Sequence, residues 1–340
     1  MIESKLNPSV VILVAAFNDW ESVRTLIPLL DVQLSGRYGG VRIYIIDDGS
    51  TSFANEDMFS GTSFNAISEV RVVTLRRNLG NQRAVAVGLG CLASEIDFDY
   101  LVLMDSDHED KPEYVPQLID RALQEDNKVV FAERTQRSEG RRFRMFYAAY
   151  KALYGLLTGT PISYGNFCAM PSVLVKRIAS ISEIWSHFPA GIMKARVPFV
   201  SIPSERGKRQ YGASKMNVVN LAIHGLSGLA VHAELVGVRF TLGLLAFAAA
   251  AAIGIAGVVL KRFLVDVLVL GWSSQVVLLL VGIFIQMLIA AVLVVFLVLA
   301  TRNQRTVIPA WDFRKFLLDI RTVFPVRSPE AREKLGNRFP

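Results

Sequence analysis

The sequence has few cysteines and fewer acidic than basic residues. Its two cysteines, Cys91 and Cys168, are too few among 340 residues to form the disulfide framework that stabilises small secreted domains. Lysine and arginine number 37 against 30 aspartates and glutamates, which leaves a net charge of +7. No nucleic-acid-binding motif accompanies this excess. We therefore expect anionic lipid headgroups or a phosphorylated ligand as partners, and no nucleic acid.

The sequence also shows no internal repeat and no pattern typical of a leader at its start. The first apolar run, VVILVAAF at 10–17, is too short to span a bilayer and has no small-residue cleavage site behind it. We interpret this run as a buried strand.

Two apolar runs in the C-terminal third are long enough to cross a membrane. They lie at about 236–260 and 276–300, and a bilayer core needs about 20 apolar residues in a helix. Basic residues flank the pair on its outer sides: Lys208, Arg209, Lys215, Arg302, Arg305, Arg314 and Lys315. The positive-inside rule therefore predicts a protein of the inner or cell membrane with both of its termini in the cytoplasm.

The region before these runs alternates between strand-like and helix-like segments. Five segments are predicted as strands: 10–17, 41–51, 70–75, 100–105 and 128–133. Helical patterns at 20–34 and 78–94 lie between them. This alternation predicts a doubly wound, mostly parallel α/β sheet, whose ligands bind beyond the carboxyl ends of the strands.

Three later segments are amphipathic with helical spacing, at 141–157, 216–235 and 311–324. Aromatic and basic residues beside a membrane hairpin favour helices that lie in the interface, which we expect for the second and third segments. Core packing and an interfacial position fit 141–157 equally well.

The predicted organisation has four parts. They are an α/β domain at 1–215, a juxtamembrane helix at 216–235, two membrane helices within 236–300, and a cytoplasmic tail at 301–340 that carries the last interfacial helix.

Acidic residues cluster where the fourth predicted strand ends. Asp105 and Asp107 follow the apolar run directly, and like charges this close repel unless a cation lies between them. Two carboxylates suit Mg²⁺ or Mn²⁺ completed by water and phosphate oxygens. Alone, this pattern is a weak signal because acids also begin helices. We expect Glu109 and Asp110 to do so ahead of Pro112.

Two further segments support a ligand site near these acids. Asp48 and Gly49 end a neighbouring predicted strand, where the carboxylate is placed to accept from a base or a ribose. The segment NLGNQR, 78–83, brings amides and a cation to the start of a helix, a place that suits a diphosphate.

Seven segments together carry a family resemblance by their order and spacing. They are VAAFND (14–19), DDGST (47–51), RRNLGNQRA (76–84), MDSDHEDKPE (104–113), FAERTQR (131–137), YGNFCAMP (164–171) and RGKRQYGASKMN (206–217). This series resembles family 2 glycosyltransferases with a GT-A fold. With the two apolar runs, it is similar to the membrane-anchored polyprenyl-phosphate glycosyltransferases, which include dolichol-phosphate mannose synthase and bacterial undecaprenyl-phosphate glucose transferases.

The resemblance covers about residues 8–300 and implies both a reaction and a metal. The reaction is an inverting transfer of a hexose from a UDP- or GDP-linked sugar to polyprenyl phosphate at the cytoplasmic membrane face. The implied metal is Mn²⁺ or Mg²⁺, held by Asp105 and Asp107.

The resemblance also implies roles for individual residues. The nucleotide-sugar would be held by Ala15, Phe17, Asp19, Asp48, Arg83, Asp105, Ser106 and Asp107. The acceptor phosphate or donor diphosphate would be held by Arg134, Arg206, Arg209, Ser214 and Lys215. The catalytic residues would be Asp105, Asp107, Asn166 and Arg209.

The sequence departs from the family pattern at three places. Asp19 stands where a longer glutamate is common, and His108-Glu109 stands where Leu-Gln is frequent. We interpret His108 either as a third polar contact at the metal or as an exposed histidine. Asn166 stands where the family has an aspartate that has been viewed as the base.

Asn166 cannot take a proton, so the acceptor decides what its presence means. A hydroxyl acceptor needs a general base. A lipid monophosphate, with a second pKa of about 6, is already a dianion at neutral pH and needs none.

Other functions compete with this interpretation. Asn166 is compatible with a catalytically silent, membrane-anchored nucleotide-binding or scaffold protein, and a transferase with another acceptor is a further alternative. A processive polysaccharide synthase is disfavoured because no Gln-x-x-Arg-Trp motif follows the site. The sequence is also compatible with a homo-oligomer.

Overall fold

Eight strands form one sheet in the computed structural model, which describes residues 7–52, 58–134, 141–160, 164–211, 218–264, 271–302 and 306–325. The strands are β1 Val10–Ala16, β2 Val41–Asp47, β3 Ile67–Leu75, β4 Tyr100–Asp105, β5 Val129–Arg134, β6 Tyr164–Pro171, β7 Phe199–Ser204 and β8 Leu317–Phe324. Their order across the sheet is β7-β5-β6-β4-β1-β2-β3-β8. Among the described strands, β6 and β8 run antiparallel to their neighbours and the others pair in parallel, which confirms the predicted mostly parallel α/β sheet.

Helices connect and cover the strands of this sheet. They are α1 Trp20–Leu34, α2 Asn81–Glu95, α3 Tyr114–Gln124, α4 Arg141–Thr158, α5 Ser172–Ala179, α6 Phe188–Lys194, α7 Val218–Val231, α8 Ala233–Leu264, α9 Trp272–Arg302 and α10 Pro309–Asp312.

The central strand β1 is apolar along its whole length because both of its faces are covered. Val11 and Leu13 point into a core beneath α2, α5 and α6. Ile12 and Val14 point into a second core beneath α1 and α3. The predicted buried strand at 10–17 is therefore confirmed.

The sheet changes its direction of growth at β1. The chain passes from β1 to β2 and β3 on one side, and then returns to place β4 on the other side of β1. Ligands of doubly wound sheets bind at the carboxyl ends of strands at such a switch point. Here that edge carries Asp47 beside Ala16 and Asp105 beside Ala15.

Most of the C-terminal segment 311–324 forms a strand, so the prediction of an interfacial helix there is wrong. Residues 309–315 make two short helical turns, and β8 then pairs antiparallel with β3. The edge of β3 offers unpaired backbone donors and acceptors, and pairing with β8 satisfies them. The aromatic spacing serves the core instead, since Phe313 is buried and Phe316 packs on Trp185.

The second compact unit comprises Met145–Pro161 and His232–Thr306. In α4, Tyr154 is fully buried and its ring contacts that of His232, whereas Leu156 is 73% exposed. The predicted helix at 141–157 is thus confirmed, packed on one side and open on the other.

The two long apolar helices predicted near the C-terminus are also confirmed. The apolar part of α8, Ala233–Lys261, has a mean hydropathy of 2.4, and that of α9, Ser274–Ala300, has 3.0. They form an antiparallel hairpin, in which Gly237 lies against Val298 near one end and Gly254 lies against Leu280 near the other. Their outer surfaces carry exposed leucine, isoleucine, valine and phenylalanine side chains, as expected of helices surrounded by lipid.

The predicted juxtamembrane helix at 216–235 divides between two helices. Residues 218–231 form α7, α8 begins at Ala233, and residues 216 and 217 lie outside the described part of the chain. The position of α7 in a membrane interface stays a prediction.

Gly90 tests how β8 is held. A Cβ at this position in α2 would collide with the carbonyl oxygen of Pro309, just ahead of β8. Because backbone must move to relieve that collision, Gly90→Ala should cost about 1–3 kcal/mol of stability in detergent, seen as a lower thermal midpoint.

The matched control is Gly155→Ala in α4, where an added Cβ meets no atom within 4 Å. Alanine in an open helical position should be neutral or stabilise by up to about 1 kcal/mol. Equal midpoints for Gly90→Ala and the unchanged protein would contradict close packing of this segment on α2.

Candidate active site

The loop that follows β4 is held by its own acids and by α1. Asp110 accepts a hydrogen bond from the backbone N–H of Asp105 at 3.0 Å, and Asp107 accepts from that of Glu109 at 3.1 Å. Helix α3 begins only at Tyr114, so Glu109 and Asp110 do not start it as predicted. They shape the loop that presents Asp105 and Asp107.

His108 is buried beneath this loop, at 5% exposure and with a left-handed φ of 64°. Its Nε2 lies 3.1 Å from the carbonyl oxygen of Ser22, to which it donates, and 2.9 Å from Oγ1 of Thr25. Burial lowers the pKa of the imidazole, which favours its neutral form. His108 therefore fixes the loop to α1, and neither interpretation of it as a metal contact or as an exposed residue is correct.

Gly207 brings a later segment against the same loop. Its N–H donates to the carbonyl oxygen of Glu109 at 2.8 Å, and a Cβ there would collide with the carbonyl oxygen of His108. Only glycine permits this approach, which places the neighbouring arginines beside the acids.

Three predicted phosphate-binding arginines are paired with acids at this site. The ion pairs are Arg134–Asp110 at 3.2 Å, Arg206–Glu109, Arg209–Asp19 at 3.1 Å and Arg209–Asp107 at 3.8 Å. Each arginine thus compensates an acid of the loop, and Arg209 also holds Asp19. The predicted residues Ser214 and Lys215 lie outside the described residues.

Negative charge remains in excess at the two candidate metal ligands. Burial, and then the nearby Asp110, raises the pKa of Asp105 to about 6. Burial, and then Asp105 itself, raises the pKa of Asp107 to about 6 despite the opposing effect of Arg209. Crowded carboxylates of this kind are stabilised by a cation.

The donor set fits a hard divalent cation. Asp105 and Asp107 offer oxygen ligands at a half-buried edge, with coordination left for water and phosphate. Among the described residues, no three acidic, histidine or cysteine side chains converge on one point. Two carboxylates with room for water and phosphate oxygens suit Mg²⁺ or Mn²⁺.

The carboxylate of Asp48 accepts hydrogen bonds from two backbone N–H groups. Asp48 is 3% exposed, and its two carboxylate oxygens accept from the N–H groups of Leu79 at 2.7 Å and Gly80 at 2.8 Å. These bonds hold the turn that leads into α2. Asp48, which was predicted to bind a base or a ribose, therefore fixes the start of α2 in this structure.

The other predicted nucleotide-binding residues lie near the ends of β1 and β4 and at the start of α2. Ala15 lies beside Asp105 in the register of β1 and β4, and Phe17 follows the end of β1. Ser106 is buried within the acidic loop. Arg83 is exposed on the first turn of α2, with its guanidinium over the ring of Trp185 at 5.7 Å.

Asn166 belongs to a row of side-chain amides that sequence reasoning found only in part. Gln82 Nε2 donates to Asn166 Oδ1 at 3.1 Å, and Asn166 Nδ2 donates to Asn81 Oδ1 at 3.4 Å. Asn81 Nδ2 then donates to Asp105 at 2.9 Å. The sequence pointed to amides at the start of α2, but not to their connection with Asn166.

Comparison with known proteins shows which family this part of the chain resembles. Residues 11–172 match the family described as Glycosyl transferase family 2. That range contains β1 except for Val10, the acidic loop, Asn166 and the start of α2. Over this range, a little under half of its length, the chain is similar to family 2 glycosyltransferases.

Curated relatives include undecaprenyl-phosphate 4-deoxy-4-formamido-L-arabinose transferases. The one from Edwardsiella ictaluri is 24% identical over 223 residues, which cover 65% of this chain and 67% of the relative. The one from Salmonella choleraesuis is 26% identical over 223 residues, which cover 62% and 64%. The chain therefore spans about two thirds of the length of these distant homologues.

Among solved structures, the chain is similar to glucosyl-3-phosphoglycerate synthase from Mycobacterium tuberculosis in complex with Mn²⁺, UDP-glucose and phosphoglyceric acid. That similarity has 17% identity and a TM-score of 0.48, and covers 69% of this chain and 82% of the other.

The raised pKa of Asp105 has a consequence for stability. Its pKa rises from 3.8 to about 6 on folding, so the folded chain holds this proton more tightly and loses stability as the pH rises through that interval. Asp105→Asn keeps the acceptor for Asn81 and removes the charge. In metal-free detergent at pH 7.5 it should stabilise the protein by about 1–2 kcal/mol, and near pH 4 the gain should vanish.

Thermal unfolding at the two pH values measures this effect. The control is Asp126→Asn. Asp126 is an exposed residue just before the amino end of β5, and its substitution should change the thermal midpoint little at either pH. A loss of stability in Asp105→Asn at pH 7.5 would contradict the excess of negative charge.

Proposed function

We propose that this protein transfers a hexose from a UDP- or GDP-linked sugar to polyprenyl phosphate, with inversion and with a divalent metal. The observation that carries this proposal is the pair Asp105 and Asp107 at the switch point of the sheet, in a chain that also carries the apolar hairpin of α8 and α9. The undecaprenyl-phosphate substrate in the names of the curated relatives supports the same acceptor.

The donor side of the site is supported by its charge. When bound at Asp105 and Asp107, Mn²⁺ or Mg²⁺ would neutralise the diphosphate that leaves the sugar. The first turn of α2 adds side-chain amides from Asn81 and Gln82 and the cation of Arg83. Arg209 is a cation already adjacent to Asp107 and is placed to bind diphosphate oxygens when it leaves that carboxylate.

The acceptor side explains why an asparagine suffices at position 166. A phosphate dianion is a nucleophile without loss of a proton, so no base is required. Asn166 is an amide whose Nδ2 is already used to donate to Asn81, which adds no negative charge beside the incoming phosphate. A hydroxyl acceptor would find no base in this residue.

The membrane is the place where such a lipid acceptor is found. We place α8 and α9 across the bilayer, because each has an apolar stretch longer than the roughly 20 residues needed and an exposed apolar surface. The basic residues Lys208, Arg209, Arg314 and Lys315 flank the hairpin in sequence and favour a cytoplasmic site.

A second candidate, a silent nucleotide-binding scaffold, has one observation in its favour, the absence of a carboxylate at Asn166. Purified protein in detergent, given undecaprenyl phosphate, Mn²⁺ and a panel of nucleotide-sugars, distinguishes the two. Release of UDP or GDP that depends on the lipid establishes the transferase. Nucleotide binding without release from any donor establishes the scaffold.

Asp107→Ala tests the metal role. Removal of one of two carboxylate ligands should reduce metal-dependent nucleotide release at least about 100-fold, as a loss of roughly 3 kcal/mol of transition-state stabilisation implies. The control is Asp126→Ala at the opposite edge of the sheet, which should retain full activity. Near-normal turnover by Asp107→Ala would refute the assignment.

A further inference from the structure

Four hydrogen bonds connect the start of α6 to Asp105. The backbone N–H of Phe188 donates to Gln82 Oε1 at 2.7 Å, Gln82 Nε2 donates to Asn166 Oδ1 at 3.1 Å, Asn166 Nδ2 donates to Asn81 Oδ1 at 3.4 Å, and Asn81 Nδ2 donates to Asp105 Oδ1 at 2.9 Å. The residues belong to α6, α2, β6 and β4, so the row joins four elements at the metal edge of the sheet. We call this row the amide relay.

The direction of the amide relay is determined by its two ends. The N–H of Phe188 is the first of its helix, where no helical carbonyl is available, and it can only donate. Asp105, when ionised, can only accept. Each amide between them has one oxygen and one NH₂ group, so once Gln82 accepts from Phe188, every later link is oriented as observed.

We propose that Gln82, Asn166 and Asn81 are positioning residues that orient Asp105 for the metal. This inference rests on the proposed function, in which Asp105 is a metal ligand. Asn81 donates to one carboxylate oxygen and thereby fixes the rotation of the carboxyl group, as partners behind metal ligands commonly do. Gln82 and Asn166 act through Asn81, because they keep its NH₂ group directed toward Asp105.

The amide relay also explains why position 166 carries an amide. An aspartate there can only accept, so it would take the NH₂ group of Asn81 for itself. The oxygen of Asn81 would then face Asp105, where two acceptors repel. The orientations of the Asn81 and Asn166 amides therefore depend on each other, and a carboxylate at position 166 is incompatible with Asn81 in its observed orientation.

Gln82→Glu is the sharpest test because the hydrogen bonds of Gln82 go to Phe188 and Asn166 and not to Asp105. The glutamate still accepts from Phe188 but cannot donate to Asn166. The side-chain amides of Asn166 and Asn81 must both flip, so that their oxygen and NH₂ groups exchange places. The oxygen of Asn81 then faces Asp105. We expect the affinity for Mn²⁺ to fall about tenfold, as for other residues behind metal ligands.

The predicted sign separates this effect from simple electrostatics. Gln82→Glu and Asn166→Asp each add a negative charge near the metal edge, and charge alone would tighten the binding of a cation. The amide relay predicts weaker binding in both variants. Asn166→Asp keeps the test decisive if Gln82→Glu fails to fold.

The measurement is titration of the full-length protein in detergent with Mn²⁺, alone and with UDP or GDP, followed by electron paramagnetic resonance of the free ion. Gln117→Glu, an exposed position on α3, and Asn127→Asp, an exposed position before β5, control for the added charge. Both should leave the Mn²⁺ affinity unchanged.

The outcomes separate this inference from the proposed function. Loss of Mn²⁺ binding in Asp105→Ala, with weakened binding in Gln82→Glu and Asn166→Asp, supports both. Loss in Asp105→Ala with unchanged or tighter binding in the other two overturns the amide relay and leaves the function standing. Unaltered binding in Asp105→Ala overturns the metal role, and the positioning role with it.

Discussion

Mutual repulsion among the acids that follow β4 is the constraint on which the site depends. Asp105, Asp107, Glu109 and Asp110 lie within six residues, and the fold brings compensating groups to them from distant parts of the chain. Arginines arrive from the end of β5 and from the segment after β7, and an amide arrives from the first turn of α2. The acidic loop therefore joins several elements into one site.

Compensation is nevertheless incomplete where a metal would bind. Asp110 and Glu109 each pair with an arginine, whereas Asp105 accepts a hydrogen bond from the neutral amide of Asn81 and keeps a raised pKa. Functional sites commonly retain such local instability because the ligand removes it. The fold thus supplies enough positive charge to hold the loop, but not enough to neutralise its metal-facing edge.

Local patterns were sufficient to predict five of the eight strands and the reactive edge of the sheet. A strand covered on both faces must be apolar throughout, and β1 and β4 show this in the sequence itself. Acids directly after such strands lie at the carboxyl edge, so Asp105 and Asp107 could be placed before their partners were known. The two apolar helices were predicted by length alone.

The remaining features depend on contacts between residues far apart in sequence. The aromatic spacing of 311–324 predicts a helix, and pairing with the free edge of β3 makes 317–324 a strand instead. His108 reaches α1, and Asp48 reaches the turn before α2, by interactions that no spacing reveals. Gln82 acquires its place only because α6 presents an unpaired N–H to it.

The return of the chain to the sheet after the apolar hairpin has a consequence for biosynthesis. β8 is the last strand in the described part of the chain, although its partner β3 is complete more than two hundred residues earlier. A ribosome therefore releases the final strand only after both apolar helices have been made. Until then β3 has an open edge, so the α/β domain is completed only after the two apolar helices have been synthesised.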